Sequence, residues 1–232
     1  MEYLPNGYTL EIPKGAFPLS TDSIVLAHFV RLRPGAKVLD LASGCAALGL
    51  MLCAREERCS VTGVELDPAA HEAALSNIAA NGLGHRLSSL CQDLRTVPDT
   101  IPCGSFSVCI SNPPYFSAGP TSATFPTARH DGQCSAAELF RSAAWALKYG
   151  GDFFLVHKPE RLAELIGQGQ RNGMEAKRLG LVRHREGGPV SLILLQFRKG
   201  AKPGLKWEEY TLFDSLGNPT QDYRTIYHIE EA

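Results

Sequence analysis

The chain has 232 residues, 44% of them hydrophobic and 20% charged, with a net charge of −1. That composition suits one α/β domain with additions, no apolar run nears the roughly 20 residues of a membrane span, and Met1-Glu2-Tyr3-Leu4-Pro5 carries no signal-peptide pattern. Seven scattered cysteines without a C-x-x-C pair argue against a zinc or other metal site and for reduced thiols in the cytoplasm.

Residues 1–20 form an N-terminal extension. A helix is predicted over Thr21–Val30, a strand over Lys37–Leu41 and a second helix over Ala47–Glu56. Next come a strand at Ser60–Val64, a helix at Pro68–Asn81 and strands at Leu87–Cys91 and Phe106–Ser111. Pro68 suits a first helical turn and Gly82 a stop. Phe116–Gln133 reads as a long loop rich in Ser, Thr, Gly and Pro. Beyond it lie a helix at Ser135–Lys148, a strand at Gly151–His157, a helix at Pro159–Arg171 and strands at Glu175–Val182 and Val190–Phe197. Alternation at this spacing implies a mostly parallel sheet covered on both faces. Only Arg183–Pro189 joins the last two strands, too short for a crossover, so they are expected to form an antiparallel hairpin. The whole chain reads as one domain, 1–232, with a core at 21–199 and a C-terminal extension at 200–232.

Asn112-Pro113-Pro114-Tyr115 directly follows the apolar run Phe106–Ile110 and Ser111. Each proline fixes φ and pushes the residue before it towards an extended conformation. The Asn112 side-chain oxygen and the Pro113 carbonyl thus become a stiff pair of acceptors, with Tyr115 as a flat face beside them. Such a cluster suits a planar amino group, although a strand-ending turn stiffened by prolines would look the same.

The ends of the earlier strands supply a second pattern. Asp40-Leu41-Ala42-Ser43-Gly44-Cys45-Ala46 is a small-residue turn that lets backbone approach a ligand at a helix N-terminus. Glu65-Leu66 ends the second strand, where an acid can accept both hydroxyls of a ribose. Asp93 ends the third, where a carboxylate can accept from an adenine amino group. Acid-led turn, Glu65, Asp93 and then Asn112, one after each successive strand, is an order that favours S-adenosylmethionine over a nicotinamide. The candidate cofactor set is Thr21, Asp40, Ala42, Gly44, Glu65, Leu66, Asp93 and Asn112.

Charge is unevenly spread. Lys158–Lys206 holds eleven Lys and Arg against four acids, a net +7, whereas the tail from Glu208 carries −5. A basic segment inside a neutral protein is the footprint of a polyanion site, with Lys158, Arg161, Arg198 and Lys199 as candidate RNA contacts. His157 and His184 lie near strand ends and read as core or surface residues.

Taken together, these motifs resemble the N-P-P-Y amino-group methyltransferases, and within them the bacterial adenine-N6 methyltransferases acting on a valine tRNA. Phe17-Pro18-Leu19-Ser20-Thr21-Asp22, with Ser23 to Ala27 after it, is similar to that family's F-x-x-T/S-D-A-x-L-L-A helix start. His157-Lys158-Pro159-Glu160-Arg161-Leu162 matches its H-R/K-P-E-R-L turn, and Arg185-Glu186-Gly187 and Arg198-Lys199-Gly200 match two shorter runs. The resemblance spans roughly residues 7–230. It implies a Rossmann-like class I sheet of seven strands with helices on both faces and a C-terminal hairpin. It also implies S-adenosylmethionine as cofactor and RNA, most plausibly tRNA, as substrate. Asn112, Pro113 and Tyr115 would be catalytic, and Tyr115 and Phe116 would hold the base. The family's turn reads D-L-G-x-G-x-G, so Ala42 and Ala46 stand where two glycines are usual. Their methyls are expected to weaken cofactor binding or displace the turn.

Three alternatives share parts of this pattern: a ribosomal-RNA guanine-N2 enzyme, a protein glutamine-N5 methyltransferase, and a non-catalytic RNA-binding protein on the same sheet. The second carries an N-terminal helical domain for which about 20 residues leave no room. Intact Asp40, Glu65, Asp93 and Asn112 argue against the third.

Overall fold

A computed structural model describes residues 2–4, 7–13, 19–113 and 134–229. Its centre is one eight-stranded sheet. In chain order the strands are β1 (Lys37–Leu41), β2 (Ser60–Glu65), β3 (Leu87–Cys91), β4 (Phe106–Ser111), β5 (Leu147–His157), β6 (Met174–Arg185), β7 (Val190–Lys199) and β8 (Lys206–Phe213). Their spatial order is β8-β6-β7-β5-β4-β1-β2-β3, and only β7 runs antiparallel to the rest. All seven expected strands occur, and β6 and β7 form the expected hairpin. The eighth, β8, lies in the segment read as an extension; it pairs in parallel with β6 and widens the sheet.

Alternating side chains divide the core in two, because successive strand residues face opposite sides. Val38, Ile110 and Phe154 pack under the helices α1 (Thr21–Phe29), α2 (Ala47–Arg55) and α3 (Pro68–Ala80). Leu39, Cys109 and Phe153 pack under α4 (Ala136–Ala146) and α5 (Leu162–Arg171). Phe29 meets Phe154 edge-on at 6.1 Å, and Phe140 meets Phe153 and Phe197 at 5.2 and 5.1 Å. Local chemistry sets the helix starts. The Asp67 side chain caps α3, with Pro68 at its first position, and Ser135 and Glu138 form a capping box on α4. Among the described residues no helix is long and apolar enough to cross a membrane.

The N-terminal segment is fastened by two asparagines four residues apart, hence on one face of α3. Asn81 donates to the Thr9 carbonyl and accepts from its N–H, at 2.8 and 3.0 Å. Asn77 does the same with Glu11, at 2.9 and 2.8 Å, and donates a further bond of 3.0 Å to the carbonyl of Cys45. The buried Asn77 amide therefore ties the N-terminal segment to the turn between β1 and α2. Asn77→Ala should cost about 2 kcal/mol, since it strips partners from three backbone groups. Urea denaturation would measure it, and a loss below about 0.5 kcal/mol would show that solvent replaces the amide.

Candidate active site

Parallel strands put the C-terminal ends of β1, β2, β3, β4 and β5 along one edge of the sheet, and the expected cofactor and catalytic residues follow those ends. Ser111 locks two of the ends together, its hydroxyl donating to the Leu41 carbonyl at 2.7 Å. The turn after β1 then doubles back: Ala42, Gly44 and Ala46 all have positive φ, at 61°, 54° and 70°. The two alanines take the left-handed backbone that favours glycine, at a cost of roughly 1–2 kcal/mol per alanine. Ser43 fits inside this turn because β2 offers Gly63 opposite it; a Cβ there would lie 2.6 Å from the Ser43 Oγ.

Glu65 holds the turn from the side. One carboxylate oxygen accepts from Gly44 N–H at 2.7 Å and the other from Asp67 N–H at 2.8 Å. Each oxygen keeps a second lone pair for a ligand. Leu66, beside it, leaves 48% of its surface exposed. Below the turn, Asp40 is only 1% exposed, and neither of its oxygens nor the Ser43 Oγ has a hydrogen-bond partner among the described residues. Burial, and then the Glu65 charge, hold the Asp40 carboxyl well above the usual carboxylate range. The α2 N-terminus, led by Ala46, has no side-chain cap. Acceptors without a partner among the described residues, an exposed apolar side chain, an uncapped helix N-terminus and a carboxylate with spare lone pairs fit a ligand carrying a cation, a flat ring and vicinal hydroxyls. S-adenosylmethionine has all three.

Asp93 has a second task that sequence reading missed. It caps the short 3-10 turn Leu94–Thr96 and pairs with the Arg95 guanidinium, which holds its pKa below the usual range. Thr21, at the head of α1, accepts from the Tyr227 hydroxyl at 3.3 Å. Asn112, at the end of β4, donates through Nδ2 to the Ser23 hydroxyl at 2.9 Å, and its Oδ1 accepts no hydrogen bond among the described residues. Pro113 is buried beside it. Tyr115 and Phe116 lie outside the described residues.

The basic candidates separate. Lys158 and Arg161 follow the C-terminal end of β5, at the same edge as Asn112; Arg161 pairs with Glu164 at 2.7 Å. Arg198 and Lys199 are not brought there. Arg198 sits opposite Asp152, five residues before His157 on β5 and thus about 16 Å down the sheet. It holds that carboxylate at 2.8 and 3.0 Å. Lys199 caps the end of α4 by donating to the carbonyls of Ala144 and Leu147. Arg178, counted in the basic segment, is buried against the Phe29 ring and bidentate to Glu208. His157 is buried, accepts from the Lys158 N–H at 2.8 Å, and has a pKa pushed down to about 4 by burial and by Arg161. It is neutral at physiological pH.

Sequence reading also missed Ser23, Gly63 and Asn77. The i, i+4 pair Asn77/Asn81 on a predicted helix was a usable signal; nothing local pointed to Ser23 or Gly63.

Fold and site together define a class I S-adenosylmethionine-dependent methyltransferase. The family model described as Methyltransferase small domain matches residues 19–168. A protein of Tolumonas auensis named tRNA1(Val) (adenine(37)-N6)-methyltransferase is 32% identical over 84% of this chain and 81% of its own length. One of the same name from Bacteroides fragilis is 29% identical over 82% and 81%. A crystal structure of a predicted O-methyltransferase from Agrobacterium tumefaciens superposes with a TM-score of 0.76 at 21% identity, covering 90% of this chain and 96% of that one. The chain belongs to the methyltransferase small domain family, among the relatives of the tRNA1(Val) adenine-N6 methyltransferases.

Proposed function

We propose that this protein methylates the exocyclic N6 amine of an adenine in tRNA, using S-adenosylmethionine. The observation that carries the reading is Asn112. It stands one strand from the cofactor turn, its amide nitrogen bonded to Ser23 and its oxygen accepting no hydrogen bond among the described residues. The names of the relatives support the same substrate.

When bound, S-adenosylmethionine supplies an electrophilic methyl group on a sulfonium. The chain's own residues must position the nucleophile. An adenine N6 lone pair is delocalised into the ring, so it is a poor nucleophile until it is pulled towards tetrahedral geometry. Asn112 Oδ1 and the Pro113 carbonyl can each accept one N6 hydrogen, leaving the lone pair aimed at the methyl group. As the N–C bond forms and the S–C bond breaks, positive charge develops on nitrogen, and the same acceptors stabilise it. The nitrogen then gives its extra proton to solvent. Positioning of this kind can supply roughly 7–11 kcal/mol. The base must leave its stack to reach the site, and Tyr115 provides the ring that holds it, with stacking worth about 1–3 kcal/mol. The tRNA substrate and the seven free cysteines support a cytoplasmic setting.

The test is incubation with labelled cofactor and total tRNA, followed by digestion to nucleosides. Label should appear in N6-methyladenosine; label in a guanosine, or in protein alone, would overturn the assignment. Of the four basic candidates, Lys158 and Arg161 are expected to contact phosphate. Replacing either with Ala should lower the slope of log affinity against log salt by about one, whereas Arg198→Ala and Lys199→Ala should leave it unchanged. Fluorescence anisotropy over a salt series reads both, and equal effects at all four positions would disprove the division.

A further inference from the structure

A primary amide has a donor end and an acceptor end, and only the acceptor end serves an incoming amine. The group that holds the inward end of Asn112 lies on another element. Ser23, in the first turn of α1, is 9% exposed, and its Oγ is 2.9 Å from Asn112 Nδ2. The two residues are 89 positions apart in sequence. We propose that Ser23 is a positioning residue for methyl transfer. Its hydroxyl accepts from the inward-turned nitrogen and keeps the Asn112 oxygen at the mouth of the site. This rests on the reading of Asn112 as acceptor of the target amine.

The physical argument is one of satisfied donors. Once the target amine takes Oδ1, the amide nitrogen points into the protein and needs an acceptor there. Ser23 is the acceptor present. With Ala at 23, the productive orientation carries an unpaired inward donor. The flipped orientation buries an unpaired carbonyl oxygen instead, so without Ser23 neither orientation is held. The amide then populates both, and the flipped one offers a donor to a donor and cannot bind the amine. Ser23 contacts neither the cofactor turn nor the basic residues after β5 through any hydrogen bond among the described residues. Its loss should therefore act on the chemical step.

Single-turnover methylation of tRNA by the full chain tests this. Ser23→Ala should slow the maximal rate about tenfold. S-adenosylmethionine affinity and the RNA concentration for half-maximal rate should stay within about twofold. Ser23→Thr, which keeps the hydroxyl, should retain most of the rate. In an Asn112→Ala background, Ser23→Ala should cause no further loss, since the group it positions is gone. An unchanged rate in Ser23→Ala would overturn the proposal. So would a tenfold loss that persists in the Asn112→Ala background, or a Ser23→Thr enzyme of normal thermal stability that is as slow as Ser23→Ala. These outcomes differ from failure of the underlying reading, in which Asn112→Ala itself would methylate at the normal rate.

Discussion

Asn112→Ala is expected to slow methylation by about 10²–10³ while leaving S-adenosylmethionine affinity within about twofold. The rate effect follows from removing one acceptor that meets charge only as it develops, the range seen for a single transition-state polar contact. Affinity should hold because the cofactor set centres on the 42–46 turn and Glu65, which Asn112 does not support: its side-chain bond goes to Ser23 instead. Tyr115→Ala should behave differently, raising the RNA concentration needed, whereas Tyr115→Phe keeps the ring and should be mild. Single-turnover kinetics with calorimetric cofactor binding separates these effects. A normal single-turnover rate in Asn112→Ala would reduce the Asn-Pro-Pro-Tyr segment to a structural turn.

Asp40→Asn should weaken S-adenosylmethionine binding about ten- to hundredfold, the scale of losing a charged hydrogen-bonding partner, and should change how stability depends on pH. In the unfolded chain Asp40 releases its proton near pH 4. In the folded chain burial and the neighbouring Glu65 charge keep the proton on to a higher pH. Between those two values the native state binds the extra proton, so the Asp40 contribution to stability falls as pH rises through that interval. Asparagine has no proton to lose. The melting temperature of Asp40→Asn relative to the parent should therefore rise from pH 4 to pH 8 in the absence of cofactor. A cationic ligand gives the carboxylate a partner, so binding should also release protons, detectable by calorimetry in buffers of different ionisation enthalpy. Parallel melting curves and unchanged affinity would show that Asp40 is a core carboxyl with no part in binding.

Much of the site was legible because class I strand ends are ordered along the chain. Asp40, Glu65, Asp93 and Asn112 each stand at or just past the end of a predicted strand, and parallel pairing carries all of them to one edge. The basic segment was a poorer guide. A count of charges along sequence does not distinguish Lys158, beyond the end of β5, from Arg198, which faces Asp152 lower down the sheet. Because β7 runs antiparallel, residues late in that strand lie far from the site, and strand direction is decided by pairing.

The amino-acid sequence by itself determined seven of the eight sheet strands, the antiparallel hairpin, the small-residue turn and the end of β4 ahead of Asn112-Pro113. Each follows from local rules: apolar period, a short connection, missing side chains and fixed proline φ. Tertiary structure alone decided the eighth strand. Lys206–Phe213 does alternate, but one of its inward positions is Glu208, which looks like a solvated charge until Arg178 and Tyr210 arrive to pair with it. It likewise decided that Ala42 and Ala46 stay left-handed, that Asn77 binds Glu11 and Cys45 across the fold, and that Ser23 meets Asn112. Those outcomes depend on groups tens of residues apart, whose desolvation is tolerable only when the whole fold supplies the partner.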